Sequence, residues 1–143
     1  MSMKYFSDKE GVNNGSISFK ISADLTPEQD AAHANLGGNW RMPTKAECQE
    51  LIDNCDASWT DDYNGTGVIG YIFISKINGN SVFLPVTGYG YCSSVNHVGS
   101  DGYYWSASRD DFDYAWYLGF DSGEQGVYYN GRFFGQPVRG VCK

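Results

Sequence analysis

Residues 70–84 read GYIFISKINGNSVFL. Two runs rich in β-branched and aromatic residues, 71–75 and 81–84, flank the dipeptide Asn78-Gly79. Asn-Gly between two such runs is the strongest short-range indication of a hairpin with a two-residue turn. The sequence therefore predicts an antiparallel β-hairpin at its centre.

The chain after this hairpin is also typical of β structure. Short β-rich runs occur at 103–108, 114–121, 126–129 and 138–142, and each predicts a strand. The segment 87–102 is rich in glycine and serine and has no clear period, which predicts a long ordered loop.

Two helices are predicted before the hairpin, after a strand at Ser16–Ile21 whose residues alternate between polar and apolar. Thr26-Pro27-Glu28-Gln29 predicts the start of the first helix, because Thr can cap, Pro fits the first turn and Gln29 can reach back to the cap amide. Gly37-Gly38 predicts its end.

The second helix is predicted to begin at Thr44, because Thr44 and Glu47 have the spacing of a capping box. Helical spacing also places Cys48, Leu51, Ile52 and Cys55 on one face, directed at the core. The order of elements is strand, two helices and a run of antiparallel strands. We therefore expect an α+β fold, with two helices packed on short antiparallel strands, in a single domain spanning residues 1–143.

Charge and hydropathy exclude several classes of function. The net charge is -7 and the pI about 4.6, which opposes binding to a phosphate backbone, so we expect no nucleic-acid partner. No run of 18 apolar residues is present, and residues 1–11 have no apolar core of a signal peptide. We therefore expect no membrane insertion. The sequence does not fix the localisation of the protein, and we expect it to act at a virion or cell surface.

The inventory of reactive side chains argues against catalysis. The cysteines permit three full pairings, and the pairing stays open; they are Cys48, Cys55, Cys92 and Cys142. No CxxC pair occurs, and with only His33 and His97 the ligands of a zinc or iron site are lacking. Cys92 and His97 lie outside any recognisable catalytic motif. The sequence predicts no enzyme, no metal and no cofactor.

Several motifs in register carry a resemblance to a known family. They are GNWRMPTKAE at 38–47, LIDNC at 51–55, ISKINGNSVFLP at 74–85, GYYWSAS at 102–108, and Arg132 and Gly135 with VRGV at 138–141. From about Ala31 onward the chain resembles the Fibrobacter succinogenes major paralogous domain, abundant in gut Bacteroidetes; residues 1–30 lie outside the resemblance. It implies a C-type-lectin-like fold of the formylglycine-generating-enzyme type. Cys48 stands where those relatives usually have Trp, which predicts a void or a local repacking.

The resemblance also implies a function. Relatives of that fold include the variable proteins of diversity-generating retroelements, whose surface residues near the C-terminus are randomised at adenines. Residues 108–134 are rich in types that mutated Asn codons yield, and the alternative is an ordinary binding domain of fixed sequence. The candidate ligand-binding residues are Asp110, Asp111, Phe112, Asp113, Tyr117, Asp121, Tyr128, Tyr129, Asn130 and Phe133.

The chemistry of this set favours recognition. Tyr offers rigid contact area and Asp and Asn offer hydrogen bonds, so the ligand is expected to be a protein or a glycan on another cell or surface. Period-two alternation assigns Trp116, Leu118 and Phe120 to the core and leaves Tyr117 exposed. A structural or oligomerisation module is the alternative function, and oligomeric state stays open.

Further residues have structural interpretations. Trp40 and Trp105 are expected to pack, and Arg132 and Arg139 are expected to bind carbonyls or a carboxylate of the fold. The acids at 110–113 are expected to form a solvated turn rather than a calcium site.

Overall fold

The computed structural model describes residues 24–142 and, before them, the backbone of two short strands. Its elements, in chain order, are β1 (Val12–Asn13), β2 (Ser16–Ile17), α1 (Ala31–Leu36), β3 (Trp40–Arg41), α2 (Lys45–Asn54), β4 (Cys55–Thr60), a 3₁₀ turn (Tyr63–Gly65), β5 (Gly70–Ser75), β6 (Ser81–Pro85), β7 (Tyr89–Tyr91), β8 (Ser94–Asn96), β9 (Gly102–Arg109), β10 (Tyr114–Phe120), β11 (Gln125–Gly131) and β12 (Val141–Cys142).

The strands form several small antiparallel sheets. Two have three strands, in the orders β4-β5-β6 and β11-β10-β9. The others are pairs: β1 with β2, β3 with β12, and β7 with β8. The β3–β12 pair joins the chain before α2 to the last described residues, placing Trp40 opposite Cys142.

The hairpin at residues 70–85 is confirmed, but its turn is longer than predicted. β5 and β6 pair from Gly70↔Pro85 to Ile74↔Ser81. Beyond that pair, the Ser75 amide donates to the Asn80 carbonyl at 2.8 Å, and the Gly79 amide to the Ser75 carbonyl at 2.9 Å. Asn78-Gly79 therefore lies within a wider loop, with Gly79 in the left-handed region at φ 73°.

Of the two predicted helix starts, the one at Thr44 is confirmed and the one at Thr26 is not. The capping box of α2 is confirmed: the Glu47 amide donates to Thr44 Oγ1 at 3.2 Å and the Thr44 amide to Glu47 Oε2 at 2.9 Å. Gln29 does accept from the Thr26 amide, at 3.0 Å, but these residues form a turn and α1 begins only after Asp30. Gly37 ends α1 as predicted.

Asp30 is the cap that the sequence interpretation missed. Its Oδ1 accepts from the amides of Ala32 at 2.8 Å and His33 at 3.0 Å. Its Oδ2 accepts from the Met42 amide at 2.8 Å. A buried carboxylate thus caps α1 and fastens it to the segment that leads into α2.

The core consists of two clusters on opposite faces of β9. The first core cluster contains Leu25, Ala32, Met42, Trp105, Ala107 and Ala115. The second core cluster contains Cys48, Tyr71, Phe73, Leu84, Tyr104, Leu118 and Phe120. Because side chains alternate along a strand, the neighbours Tyr104 and Trp105 enter different clusters, so β9 separates the two clusters.

The expected α+β class, with two helices packed on the strands, is wrong. Strands account for 43% of the structure and helices for 16%, and the strands form several small sheets. α2 packs on β4, β5 and β9–β11, whereas the six-residue α1 contacts mainly β3. The expectation failed because the first helix, α1, has only six residues, which is less than two turns. The C-type-lectin-like fold implied by the resemblance was part of the same expectation, and it is corrected for the same reason.

Smaller corrections concern single elements. Cys55 is the first residue of β4, a strand outside the predicted elements, so it does not continue the α2 helix. It nevertheless packs against the second core cluster, which contains Cys48, so the prediction that both cysteines face the core is confirmed. The predicted loop at 87–102 contains the short β7–β8 hairpin. Of the strand predicted at 16–21, the structure shows Ser16–Ile17, and the rest lies outside the described residues. In the described part of the chain, neither α-helix is long and apolar enough to span a bilayer.

Replacing Asp30 with Ala is expected to lower the free energy of unfolding by about 2–4 kcal/mol, because three amides lose their acceptor. Urea denaturation measures the change. Asp56→Ala is the matched control, since this carboxylate is 79% exposed and 3.9 Å from Lys76, and about 0.5 kcal/mol or less is expected. Equal effects of the two variants would contradict the role given to Asp30.

Acid should weaken the capping box of α2. Two hydrogen bonds from Arg41, at 2.5 and 2.7 Å, hold the pKa of Glu47 down at about 2. A lowered pKa stabilises the fold above the ordinary value of about 4.5, and this stabilisation is lost as the pH falls from 4.5 towards 2. Because the carboxylate is 33% exposed, solvent screening limits the effect to about 1–2 kcal/mol.

The difference in unfolding free energy between the wild type and Glu47→Gln should therefore shrink across that pH range. Urea unfolding at a series of pH values measures it. A difference that stays constant down to pH 2 would show that the ion pair does not stabilise the folded state.

Candidate ligand-binding site

A pocket of about 200 Å³ opens on the β9–β10–β11 sheet, on the face that carries Trp105. Tyrosine rings and carboxylates form most of its lining. They are Tyr103, Tyr117, Tyr128, Asp101, Asp121 and Glu124, with the Gly119 backbone between them.

Strand register brings the three rings together. Tyr117 on β10 is the partner of Tyr128 on β11, while Tyr103 on β9 stands opposite Gly119. The ring centroids lie 5.6 Å apart for Tyr103 and Tyr117, and 5.9 Å apart for Tyr117 and Tyr128. The rings are tilted by 30° and 42°, so they form a continuous curved aromatic wall across three strands.

Two glycines make room for the wall. A Cβ at Gly119 would lie 2.8 Å from Cε2 of Tyr117, and a Cβ at Gly126 would lie 2.6 Å from the Tyr128 hydroxyl. Contacts this short are forbidden, so the rings lie over bare backbone only because these positions are glycine. The two glycines thus fix how closely the tyrosines approach the sheet.

The carboxylates stand at strand ends beside the rings. Asp101, immediately before β9, accepts at Oδ2 from His97 Nδ1 at 2.5 Å and from Ser100 Oγ at 2.6 Å. Asp121 closes the β10–β11 turn, accepting at Oδ1 from the amides of Gly123 at 2.7 Å and Glu124 at 3.0 Å. Local hydrogen bonds therefore orient both aspartates before any ligand arrives.

Burial and neighbouring charge raise the pKa of the phenols in the pocket. Burial first, and then the negative charge of Asp101, raise the pKa of Tyr103 to about 12. The pKa values of Tyr117 and Tyr128 are raised as well, again mainly by burial. At neutral pH the pocket therefore combines protonated phenols, which can donate, with carboxylates, which accept.

The histidine beside the pocket does not form a catalytic relay with a nucleophile. His97 and Ser100 both bond to the same oxygen of Asp101, so the Ser100 hydroxyl donates to the carboxylate and not to the imidazole. A nucleophile needs a base within hydrogen-bond reach. Cys92 lies exposed in the β7–β8 turn at φ 52°, and within the described part of the chain it forms no hydrogen bond with His97.

Three of the ten predicted site residues meet in this pocket: Tyr117, Asp121 and Tyr128. Sequence reasoning missed Asp101, Tyr103 and Glu124. For Tyr103 a signal was available, because period-two alternation along β9 places it on the same face as Trp105 and Tyr117. Asp101 lies in the segment 87–102, which has no period, so no local pattern indicates that it lies beside Tyr117 and Gly119 of β10.

The acids at 110–113 lie elsewhere, in the turn between β9 and β10. Asp111 Oδ1 accepts from the amides of Asp113 at 2.8 Å and Tyr114 at 2.9 Å, which is an Asx turn. Asp110 donates its amide to the Tyr114 carbonyl. The Phe112 carbonyl accepts from the Arg132 guanidinium, which confirms the structural role predicted for Arg132. Within the described ranges, no group of three or more potential metal ligands occurs.

The other three predicted residues are also outside the pocket. Tyr129 points to the opposite face of β11, with its ring 5.4 Å from that of Trp116. Asn130 accepts from the Gly131 amide at 2.9 Å. Phe133 is 54% exposed and packs on Phe134, with centroids 4.4 Å apart. The predicted set is therefore spread over several places rather than one surface.

The core assignments on β10 were right in part. Leu118 and Phe120 are buried, as predicted, but Trp116 is half-buried, with Lys45 Nζ 3.1 Å from its ring centroid. Ala115 is buried on the other face and Tyr117 is half-buried, so the strand is covered on both sides.

The two tryptophans that were expected to pack, Trp105 and Trp40, differ in burial. Trp105 is fully buried, which confirms that it packs. Trp40 is 41% exposed and packs only in part, with its ring over Gly140.

Comparison with known proteins gives one match. A family model matches residues 56–141, more than half of the chain, and its description is "Domain of unknown function (DUF8237)". No curated protein matches the chain, and no solved structure matches it. The matched region runs from β4 to β12 and contains every residue that lines the tyrosine pocket. The resemblance to the Fibrobacter succinogenes major paralogous domain stays a prediction.

Alkaline titration should detect the environment of Tyr103. At about pH 11, between the ordinary pKa of about 10 and the raised value, Tyr103 should still be protonated. The late phase of phenolate absorbance should therefore lose one tyrosine in Tyr103→Phe, and in denaturant it should vanish. A late phase of unchanged amplitude in the variant would contradict the burial of this phenol.

Proposed function

The chain belongs to the family described as Domain of unknown function (DUF8237), and we propose that it is a non-enzymatic binding domain whose tyrosine–carboxylate pocket recognises a group displayed on another molecule. The observation that supports this is the convergence of three tyrosine rings and three carboxylates on one pocket. Rigid rings give contact area at low entropic cost, and pre-oriented acceptors give direction.

The electrostatics of the pocket select against anions. Its described lining contains Asp101, Asp121 and Glu124 and no Lys or Arg. An electron-rich aromatic face attracts a cation, and carboxylates nearby add to that attraction. We therefore propose that the preferred ligand is a protein that inserts a Lys or Arg side chain between the rings and the acids.

A sugar residue is the second candidate, favoured by the protonation state of the site. Phenols are protonated at neutral pH and can donate to sugar oxygens, and carboxylates accept from sugar hydroxyls. A tyrosine face also packs on the apolar face of a pyranose. At about 200 Å³ the pocket is suited to one ring rather than a chain.

Exposed aromatics outside the pocket favour a further alternative, a structural or oligomerisation module. Tyr91, Phe112, Tyr129 and Phe133 are 47%, 54%, 58% and 54% exposed. If such side chains were buried between copies of the chain, the mass measured by light scattering would rise with concentration, and Tyr129→Ala would reverse the rise. A mass that stays monomeric would remove this alternative.

Diversification of the binding surface by a retroelement, and display on a virion or cell surface, are part of the same proposal. The supporting observation is that Asp121 and Tyr128, types reached from Asn codons through adenine changes, both line the pocket. A neighbouring reverse transcriptase gene with a template repeat of the C-terminal coding sequence is expected. Without them the binding proposal stands and the diversification proposal fails.

Adjacent residues on β11 offer a matched test of binding. Tyr128 lies in the pocket and Tyr129 on the opposite face, and both are exposed enough that truncation should leave the fold intact. On arrays of glycans and of Lys- and Arg-containing peptides, Tyr128→Ala should weaken capture about tenfold or more, and Tyr129→Ala about twofold or less. Circular dichroism confirms that both variants are folded.

Salt separates the two ligand classes. Raising the ionic strength from about 0.05 M to about 0.5 M should weaken capture of a cationic peptide and leave a neutral glycan nearly unchanged. Equal losses in the two tyrosine variants, or no capture of any probe by the wild type, would overturn the assignment of the pocket.

A further inference from the structure

A second cavity lies on the other face of the β9–β10–β11 sheet. Its volume is about 450 Å³, within the size range of pockets that bury a small molecule. Its inner wall comes from the second core cluster: Cys48, Leu84, Tyr104 and Leu118 are all buried. The short side chain of Cys48 lines a void here, as the comparison with Trp at this position predicted.

The mouth of the cavity is formed by the β3–β12 pair. Trp40 and Cys142 are cross-strand partners, and both are exposed. Gly140 lets the Trp40 ring approach, since a Cβ there would lie 3.2 Å from Cε3 of Trp40. A ligand that enters between these strands would meet an aromatic side chain at the rim and apolar side chains inside.

The polar groups of the inner wall are already satisfied or held neutral. The Tyr104 hydroxyl donates to the Pro85 carbonyl at 2.7 Å. Burial raises the pKa of the Cys48 thiol to about 12, so it stays protonated at neutral pH. The body of a ligand would therefore need only apolar surface to match this wall.

The rim of the cavity carries a positive charge, whereas the chain as a whole is acidic. Glu47 lines the cavity, but its carboxylate is bound by Arg41 in two hydrogen bonds. Arg139 also lines it and is exposed, and across the described ranges it forms no hydrogen bond or ion pair. The carbonyl or carboxylate partner predicted for Arg139 is therefore not found among the described residues. Although the net charge of the chain is -7, the charged side chain without an ionic partner among the described residues of this mouth is a cation, Arg139.

We propose that this cavity is a binding site for a small apolar monocarboxylate, with an aliphatic or aromatic body against Cys48, Leu84 and Leu118 and a carboxylate on the Arg139 guanidinium. The guanidinium offers a planar pair of donors that matches a carboxylate in two parallel hydrogen bonds. The site is independent of the tyrosine pocket, because Tyr104 and Leu118 face away from Tyr103 and Tyr117.

Calorimetric titration with octanoate, and with 1-octanol as the uncharged probe, tests the proposal. Octanoate should bind the wild type about tenfold or more tightly than 1-octanol, because only octanoate can pair with Arg139. In Arg139→Gln the affinity for octanoate should fall to that of 1-octanol, whose own binding should not change. Lys76→Gln removes an exposed cation outside the cavity and should alter neither.

A filling variant tests the location. Leu51 lies half-buried in the wall, so Leu51→Trp narrows the cavity without forcing a large group into the fully buried core, and it should abolish binding of both probes. Circular dichroism verifies the fold of this variant. Failure of octanoate to bind the wild type, equal affinity for the two probes, or undiminished binding in Leu51→Trp would overturn the proposal.

Discussion

The structure depends on the alternation of side chains along β9. Tyr104 and Trp105 are neighbours in sequence and belong to opposite core clusters, so one strand is covered on both faces. A shift of its register by one residue would exchange the two side chains and leave each cluster without its central ring. The pairing of β9 with β10 holds that register, with Tyr104 opposite Leu118 and Trp105 opposite Tyr117.

The same alternation separates two sites of opposite character. Tyr103 and Tyr117 face a small pocket lined by carboxylates, whereas Tyr104 and Leu118 face a larger apolar cavity with Arg139 at its mouth. A ligand of one sign is therefore favoured on each face. The family match contains the whole tyrosine pocket and also Leu84, Tyr104 and Arg139 of the cavity, while Trp40 and Cys48 precede residue 56.

Sequence reasoning succeeded where a signal was local. The capping box at Thr44 and Glu47 and the hairpin at 70–85 depend on residues close together in the chain, and both are present. It missed one local signal, the Asp30 cap of α1, whose amide partners Ala32 and His33 lie close in sequence. It also failed where the contact is distant, because Asp30 binds the Met42 amide, twelve residues away, and no pattern near Asp30 predicts that bond.

The candidate site divides in the same way. Composition marked Tyr117, Asp121 and Tyr128 as recognition residues, but the set also contained Asp111, which closes a turn, and Tyr129, on the other face. Types suited to binding are also types suited to turns and to covering a sheet. Only the register of β10 against β9 and β11 distinguishes these roles, and register comes from tertiary pairing.

The packing also limits how far the proposed recognition surface can vary. Tyr117 lies against Trp105 in the first core cluster, with ring centroids 6.0 Å apart, so a smaller residue there would leave a gap beside a fully buried ring. Tyr128 is 39% exposed and lies over Gly126, where other side chains can project without disturbing the core. Variation that preserves the fold should therefore concentrate at Tyr128 and spare Tyr117, although both line the same pocket.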